Sequence, residues 1–566
     1  MSSTITDSST KTKTVTKEKA IMTDDNKNDK NDKNDKNDNN DNNDNMFVAS
    51  DGSDRDDPLL KAFFDGNSMV KHQIDTYNDF VLRKMEEITE GFNPVEIVHQ
   101  YMPDNEDYRY KLRVELVNPA LTKPMIYEKD GSTKLMTPND ARLRNFTYAA
   151  PMHMDLKITC ETYNEKTQGY TSDVKRLNNI QMGKLPIMVR SKYCILNTSP
   201  TAEHVDECKH DMGGYFIVNG NEKVVISQDR ISENKTFVFS NSKGSTSYSH
   251  LAEVRSVAEN KFGVPKTTSL KLSSKENQFG RHIRVNMHHI KHDIPLFIVF
   301  KALGIESDQQ IVSYVATGLD EQGRAAVCKA LVACADEARE IACARDALEY
   351  LSKYMQINGY PKEMLYNKHE RLNILRTVLT KEFLPHVGAD FRKKALYLGY
   401  MAKKLIFCSL GTWKMDDRDS YVNKRVDSPG VLMANIFRQY YGKALKDMRT
   451  MIQKDINNGG WRATGQFSNI ITKVNIYKII KSTVIENGIK FSLATGTWGL
   501  KANRNKIGVA QVLNRMTYNA TLSHLRRVNT PLEKSGKLIQ PRKLHNTQFG
   551  FICPAETPEV SRSRFQ

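Results

Sequence analysis

From Gly213 to Arg230 the chain reads GGYFIVNGNEKVVISQDR. Two runs rich in β-branched and aromatic residues, GYFIV and KVVIS, flank Asn219-Gly220, a dipeptide that signals a two-residue turn. The spacing predicts a β-hairpin. Gly213, Gly214 and Gly220 stand where such a chain must turn sharply, and glycine alone takes positive φ there without steric cost. Their role is read as architectural. Outward from this hairpin the same texture holds from Tyr108 to Val254. Short runs of Val, Ile, Thr and Tyr, such as KLRVELV, are broken by Gly, Asn and Asp, which predicts strands and hairpins.

Further out the period changes. The folded part is expected to begin near Pro58, where LLKAFFDG and MVKHQIDTYNDFVLRKMEEI place apolar residues three or four apart, as amphipathic helices do. Helix returns from Asp320 to Met355, with Val327, Leu331, Ala335 and Ala338 along one face, then at Arg371 to Leu384 and Phe391 to Leu410. Past Asp416 strands and helices mix again. Before Pro58 the run DDNKNDKNDKNDKNDNNDNNDN, Asp24 to Asn45, has nothing apolar to bury, so residues 1–57 are expected to be a disordered tail.

The formal charge is +17, which favours an anionic partner. Twelve Lys or Arg stand against three Glu from Lys501 to Gln566, a local excess of 12 − 3 = +9, so a nucleic-acid surface is best sought there. Eight scattered cysteines form no C-x-x-C pair, and buried free thiols of a reducing compartment are expected rather than a zinc site. The start MSSTITDSSTKTKTVTKEKAIM lacks the layout of a signal peptide, and no run of about 18 apolar residues occurs. An intracellular, soluble protein without a membrane partner is expected.

Several segments together resemble one family. LPIMVRSKYCIL (Leu185 to Leu196) and the Gly213–Arg230 hairpin are similar to the protrusion domain of second-largest subunits of multisubunit DNA-directed RNA polymerases, of the eukaryotic, archaeal and large-DNA-virus type. DDRDSYVNKRVDSPGVLMANIFRQ (Asp416 to Gln439) looks like that family's return from lobe to protrusion. LATGTWG (Leu493 to Gly499), VAQVLNRMTYNATLSHLRRVNTP (Val509 to Pro531) and LHNTQFGFICPAETPE (Leu544 to Glu559) resemble its fork region, in the family's order. The resemblance implies an α+β multidomain fold. A mainly β protrusion (58–235, resuming at 415–475) is interrupted by a mixed, helix-rich lobe (236–414) and followed by a mixed fork (476–559).

The site residues follow from that likeness. Gln511, Arg515, Arg526 and Arg527 carry donors suited to phosphate oxygens or base edges, with Lys537 and Arg542 on the loop that follows. The alternative reading pairs one or two of these arginines with carboxylates at an interface. His524 and Glu559 are candidates for support of the active centre, although an isolated His in a packed helix is as often a satisfied core residue, and Thr557-Pro558 also reads as a rigid turn. Asp416, Asp417 and Asp419 invite a magnesium site. Arg418, Lys424 and Arg425 beside them make a solvated or salt-bridged loop the simpler reading.

The resemblance implies no catalytic residue and no metal in this chain. Magnesium is expected on the largest subunit, and zinc only in a carboxy-terminal part that family members carry after the segment matching Glu559. Residues 560–566 leave the family pattern, so an interrupted gene or a subunit split in two chains is expected, with the chain inactive alone. Expected partners are the largest and other polymerase subunits, the complementary carboxy-terminal half, template DNA and the RNA–DNA hybrid. Location would be a nucleus, or a viral factory or virion, with the asparagine-rich tail favouring a large DNA virus. The competing reading is a non-catalytic orphan or regulatory nucleic-acid-binding fragment.

Overall fold

The computed structural model describes residues 68–102, 107–165, 167–198, 206–208, 210–241, 247–259, 262–356, 368–459, 467–500, 506–532 and 539–556, with Pro58, Ala62 and Phe63. The expected tail (1–57) and residues 560–566 lie outside them, as do Lys537 and Glu559. Helix and sheet are mixed throughout.

The first helical expectation holds from Lys71 to Phe92. Lys71–Asp79 and Met85–Phe92 are α-helical, joined through one π turn, Phe80–Lys84, and Tyr77, Phe80, Met85 and Ile88 supply the buried face. This face packs on the 29-residue helix Pro429–Asn457, with the rings of Phe80 and Phe437 5.9 Å apart and edge-on. The two helices cross closely because residue 430 is glycine. A Cβ there would stand 1.7 Å from the Thr76 carbonyl oxygen. Beneath them lies an antiparallel sheet in the order Val95–Met102, Asp107–Leu121, Ala149–Asn164, Gly169–Pro186. Strand alternation turns Leu112, Val114, Leu116, Leu156 and Ile158 into one core with helix residues Phe437, Ile452 and Ile489. Each such side chain, fully buried, contributes about 1.5–3 kcal/mol.

The segment between Phe237 and Trp413 has a core of its own. Five strands form an antiparallel meander, Phe237–Ser240, Tyr248–Ser256, Lys266–Ser273, Ile283–Asn286 and Ile294–Pro295. Helices Leu296–Ala302, Glu321–Glu337 and Phe391–Ser409 close over it, burying Val254, Leu270, Phe297, Leu331 and Leu398. The chain leaves and returns on paired strands: Ser227–Ile231 runs antiparallel to Lys424–Asp427, and beyond them the Val238 N–H meets Asp416 Oδ2 at 2.8 Å.

Three expectations can be compared directly. The hairpin forms as read, Phe216–Val218 against Asn221–Val225, with φ of 50° at Asn219 and 76° at Gly220. The expected helix from Asp320 to Met355 is two helices, Glu321–Glu337 and Ala344–Lys353, because the chain turns at Ala338 and restarts only after Cys343. All eight cysteines are free, but Cys208, Cys328 and Cys553 are exposed, against the expectation of burial. Among the described residues no helix is long and apolar enough to cross a membrane.

Candidate nucleic-acid interface

The basic carboxy-terminal region is mounted on the hairpin. Ala510–Val512 adds a third strand to it, with Ala510 opposite Val225 and Gln511 opposite Val224. Thr517 then caps the helix Tyr518–Leu525, its side chain accepting from the Ala520 N–H at 3.1 Å. Leu513 and Leu525 sink into a small core with Val70, Tyr215 and Val224, which holds the helix against the sheet. The helix end is tied down twice: Gln73 Nε2 donates to the Leu525 carbonyl at 2.6 Å, and Arg526 Nη1 donates to the Met69 carbonyl at 2.7 Å. The chain then runs as Val528–Asn529, parallel to Ser227–Gln228, and the Thr530 hydroxyl donates to Asp229 at 2.8 Å.

His524 is buried inside this strand–helix–strand unit. Its Nδ1 accepts the Asn514 N–H at 3.1 Å, which fixes the proton on Nε2, facing Gln511 Oε1 at 3.0 Å. Gln511 in turn donates from Nε2 to the Gly508 carbonyl at 3.1 Å. Burial, with the Arg527 guanidinium adding to it, pushes the imidazole pKa down to about 4, so the ring is neutral at physiological pH.

Arg515 faces the other way. Its Nε and Nη2 clamp Glu222 at 2.7 and 3.0 Å, Nη2 also reaches Asp211 at 3.3 Å, and the guanidinium carbon lies 4.9 Å from the Tyr215 ring centre. Glu222 is shared with Arg142, whose Nε binds it at 2.8 Å while Nη1 binds Glu207 at 2.7 Å. These charged side chains, with Leu522 and Leu525, line a cavity of about 330 Å³. The carboxylate pairing that sequence reading allowed for the arginines occurs here within the chain rather than across an interface.

The structure thus gathers Gln511, His524, Arg526 and Arg527 on one unit. Of these Arg526 and Arg527 are exposed, where the helix ends and the next strand begins, and Arg526 is engaged with the Met69 carbonyl. Arg542 sits, half-buried, in the following 3-10 turn Gln540–Arg542. That turn leads into a segment docked on the 416–421 loop, where His545 Nε2 lies 2.9 Å from Asp417 Oδ2 and Thr547 accepts the Tyr421 N–H at 2.8 Å. The clustered aspartates are engaged separately, Asp416 by Lys404 at 2.7 Å and Asp417 by His545 at 2.9 Å. Lys404 holds Asp416 in a salt bridge and His545 holds Asp417 in a hydrogen bond, in place of the sequence neighbours Arg418, Lys424 and Arg425. Arg418 stacks on Phe239, 3.8 Å from its ring centre. Glu222 and Asp211 were missed, since no local signal marks a carboxylate whose partner is some three hundred residues away. Glu556 accepts from the Ser523 hydroxyl.

Two family profiles match the chain. One, described as RNA polymerase beta subunit, matches residues 68–487, and another, RNA polymerase Rpb2, domain 3, matches residues 511–561. The chain is 37% identical to DNA-directed RNA polymerase II subunit 2 of Arabidopsis thaliana over 516 residues, which covers 88% of this chain and 41% of that protein. The corresponding subunit RPB2 of Encephalitozoon cuniculi is 38% identical over 509 residues, 88% of this chain and 42% of its own length. Thus the chain spans about two fifths of these relatives. DNA-directed RNA polymerase subunit Rpo2N of Methanococcus vannielii is 33% identical over 511 residues, 88% of this chain and 91% of the relative. By these matches the chain belongs to the RNA polymerase beta subunit family, and it corresponds to the amino-terminal portion of the second-largest subunit.

Proposed function

We propose that this chain works within the second-largest subunit of a DNA-directed RNA polymerase and that the unit from Ala510 to Asn529 borders the RNA–DNA hybrid or downstream DNA. The observation that carries the placement is Arg527. It is exposed, while the backbone before and after it is fixed by Gln73, Arg526 and the strand pairing with Ser227–Gln228. A cation on a rigid mount meets a phosphate with little loss of side-chain and loop entropy. Arg526 and Arg542 are assigned to the same surface, and Lys537 and Glu559, outside the described residues, are assigned from the family likeness alone, to nucleic-acid contact and to orienting substrate or a basic neighbour. Arg515, Gln511 and His524 act in this reading as struts that hold the surface in place.

The reaction proposed for the assembled enzyme is nucleotidyl transfer, in which the RNA 3′ hydroxyl attacks a ribonucleoside triphosphate and pyrophosphate leaves. Metal chemistry is assigned to the largest subunit, since Asp416 and Asp417 have protein partners. This chain's part is positional, through contacts mostly to backbone phosphate that weaken steeply with salt. Affinity isolation from the native source, with peptide mapping of every co-purifying chain, tests the proposal. Recovery with a largest polymerase subunit is expected. Recovery of the chain alone at low salt would return the reading to an orphan nucleic-acid-binding fragment.

A further inference from the structure

The segment between Phe237 and Trp413 brings two histidines and a carboxylate together in an arrangement that an extended chain does not permit. His288 and His289 are consecutive, and in a strand consecutive side chains point to opposite faces. Here the chain turns after Ile283–Asn286, and His289 has φ of 65°, a left-handed conformation that histidine takes more readily than most side chains. Both rings therefore swing to one side and meet edge-on, with centroids 4.0 Å apart. They converge on Glu382: Oε2 lies 3.4 Å from His288 Nδ1 and 2.9 Å from His289 Nε2.

The frame around these groups is fixed by backbone bonds. The His289 carbonyl accepts the Gln356 N–H at 2.8 Å, and the Lys291 N–H donates to the Tyr354 carbonyl at 3.0 Å. Glu382 follows the helix Lys368–Lys381 directly, with its N–H on the Val378 carbonyl at 2.8 Å. The three side chains remain 46%, 25% and 31% exposed, so an ion reaches them from solvent without any opening of the core.

We propose that His288, His289 and Glu382 form a binding site for a divalent transition-metal cation of the zinc type, with water in the fourth position. The donor set, two imidazoles and a carboxylate, is one that zinc takes in three-ligand sites. Bonds of about 2.0–2.2 Å to a tetrahedral ion put its ligand atoms roughly 3.3 Å apart. The two separations at Glu382 lie on either side of that value, and all three ligand atoms are within 4.8 Å of one another. Lys266 places its ammonium 2.9 Å from the same Glu382 oxygen, where it competes with an ion for the carboxylate and has to give way when one binds. The bound ion would staple the end of the helix Lys368–Lys381 to the turn after Ile283–Asn286. Sequence reading passed over the site because the chelating pair is a bare His-His dipeptide whose carboxylate partner lies far along the chain.

The test is titration of the chelator-stripped full chain with Zn²⁺ by calorimetry and with Co²⁺ by visible absorption. One equivalent should bind, with a tetrahedral nitrogen and oxygen cobalt spectrum and no thiolate charge-transfer band. Affinity should drop at least about tenfold in His288→Ala and in Glu382→Gln, and rise in Lys266→Met, where the competing ammonium is gone. Gain in the lysine variant separates loss of a ligand from loss of fold. Equal binding by the wild type and the His288→Ala/His289→Ala double variant, or a cobalt spectrum dominated by thiolate, would overturn the proposal.

Discussion

His524 spends both ring nitrogens inside the strand–helix–strand unit, and its titration follows from that. The unfolded imidazole takes its proton near pH 6.5 and the folded one only near pH 4, so between these values the unfolded chain binds more protons. Stability is therefore full above pH 6.5, falls as the pH is lowered toward 4, and changes no further below it on account of this group. Thermal unfolding from pH 7 to 4 should show a shallower decline in His524→Gln than in the wild type, and parallel curves would refute the assignment. Arg527 and Arg515 separate contact from support. Arg527→Ala should leave the melting temperature unchanged, weaken binding of a short RNA–DNA hybrid, and reduce the log–log salt slope by about one. Arg515→Ala should instead cost stability, about 1–2 kcal/mol, since it strips Glu222 and Asp211 of hydrogen bonds to a charged donor while the site stays partly solvated. Gly220 shows what sequence makes plain at this scale. Its φ of 76° follows from Asn-Gly between two β runs, whereas the Asn145 oxygen 2.4 Å from where a Cβ would stand is a tertiary fact without local signal.

Among elements, the helix Pro429–Asn457 is legible at its start, where Ser428 and Pro429 suit the first positions of a helix. Its partner is not, because Gly430 reads from sequence as a poor helix residue and only the Thr76 backbone against it explains the choice. Gly430→Ala must push the two helices apart, at a cost of about 1–3 kcal/mol or more. Calorimetry should show the melting temperature several degrees lower, and an unchanged value would mean that the helices can shift freely. The helix Lys368–Lys381 ends on an unusual cap. Lys394, wholly buried, donates from Nζ to the carbonyls of Leu379 and Thr380 at 2.6 and 2.7 Å. Burial pushes its pKa down to about 8. Periodicity located Arg371 to Leu384 and Phe391 to Leu410 as helices, but nothing in a pattern of apolar spacing says that a lysine of the second will close the carbonyls of the first.

At the scale of the molecule, the core of residues 238–408 is built from different buried side chains than the core of 77–225 and 432–510, and half-buried Phe262 of the inserted segment packs against the latter. The chain passes between them on the antiparallel pair Ser227–Ile231 and Lys424–Asp427. Replacing residues 237–416 by a short Gly/Ser link should therefore leave the outer core folded, with cooperative melting and protection of 77–225 from proteolysis. Loss of both would show that the inserted core is needed for the outer one. Periodicity marked a change from strands to helices along this stretch, and only the family resemblance implied an insertion. The pairing partners of Ser227–Ile231 were beyond reach, because strand register over hundreds of residues leaves no local trace. That strand has Lys424–Asp427 on one edge and Val528–Asn529 on the other, both made after it. At about 5–20 residues per second, roughly 10–40 s of synthesis separate it from the first partner and roughly 15–60 s from the second. Throughout that interval a nascent chain carries a strand with an unpaired edge, the form most apt to pair with a neighbour on the same message. The last strand laid down, two residues long, is what ends that exposure.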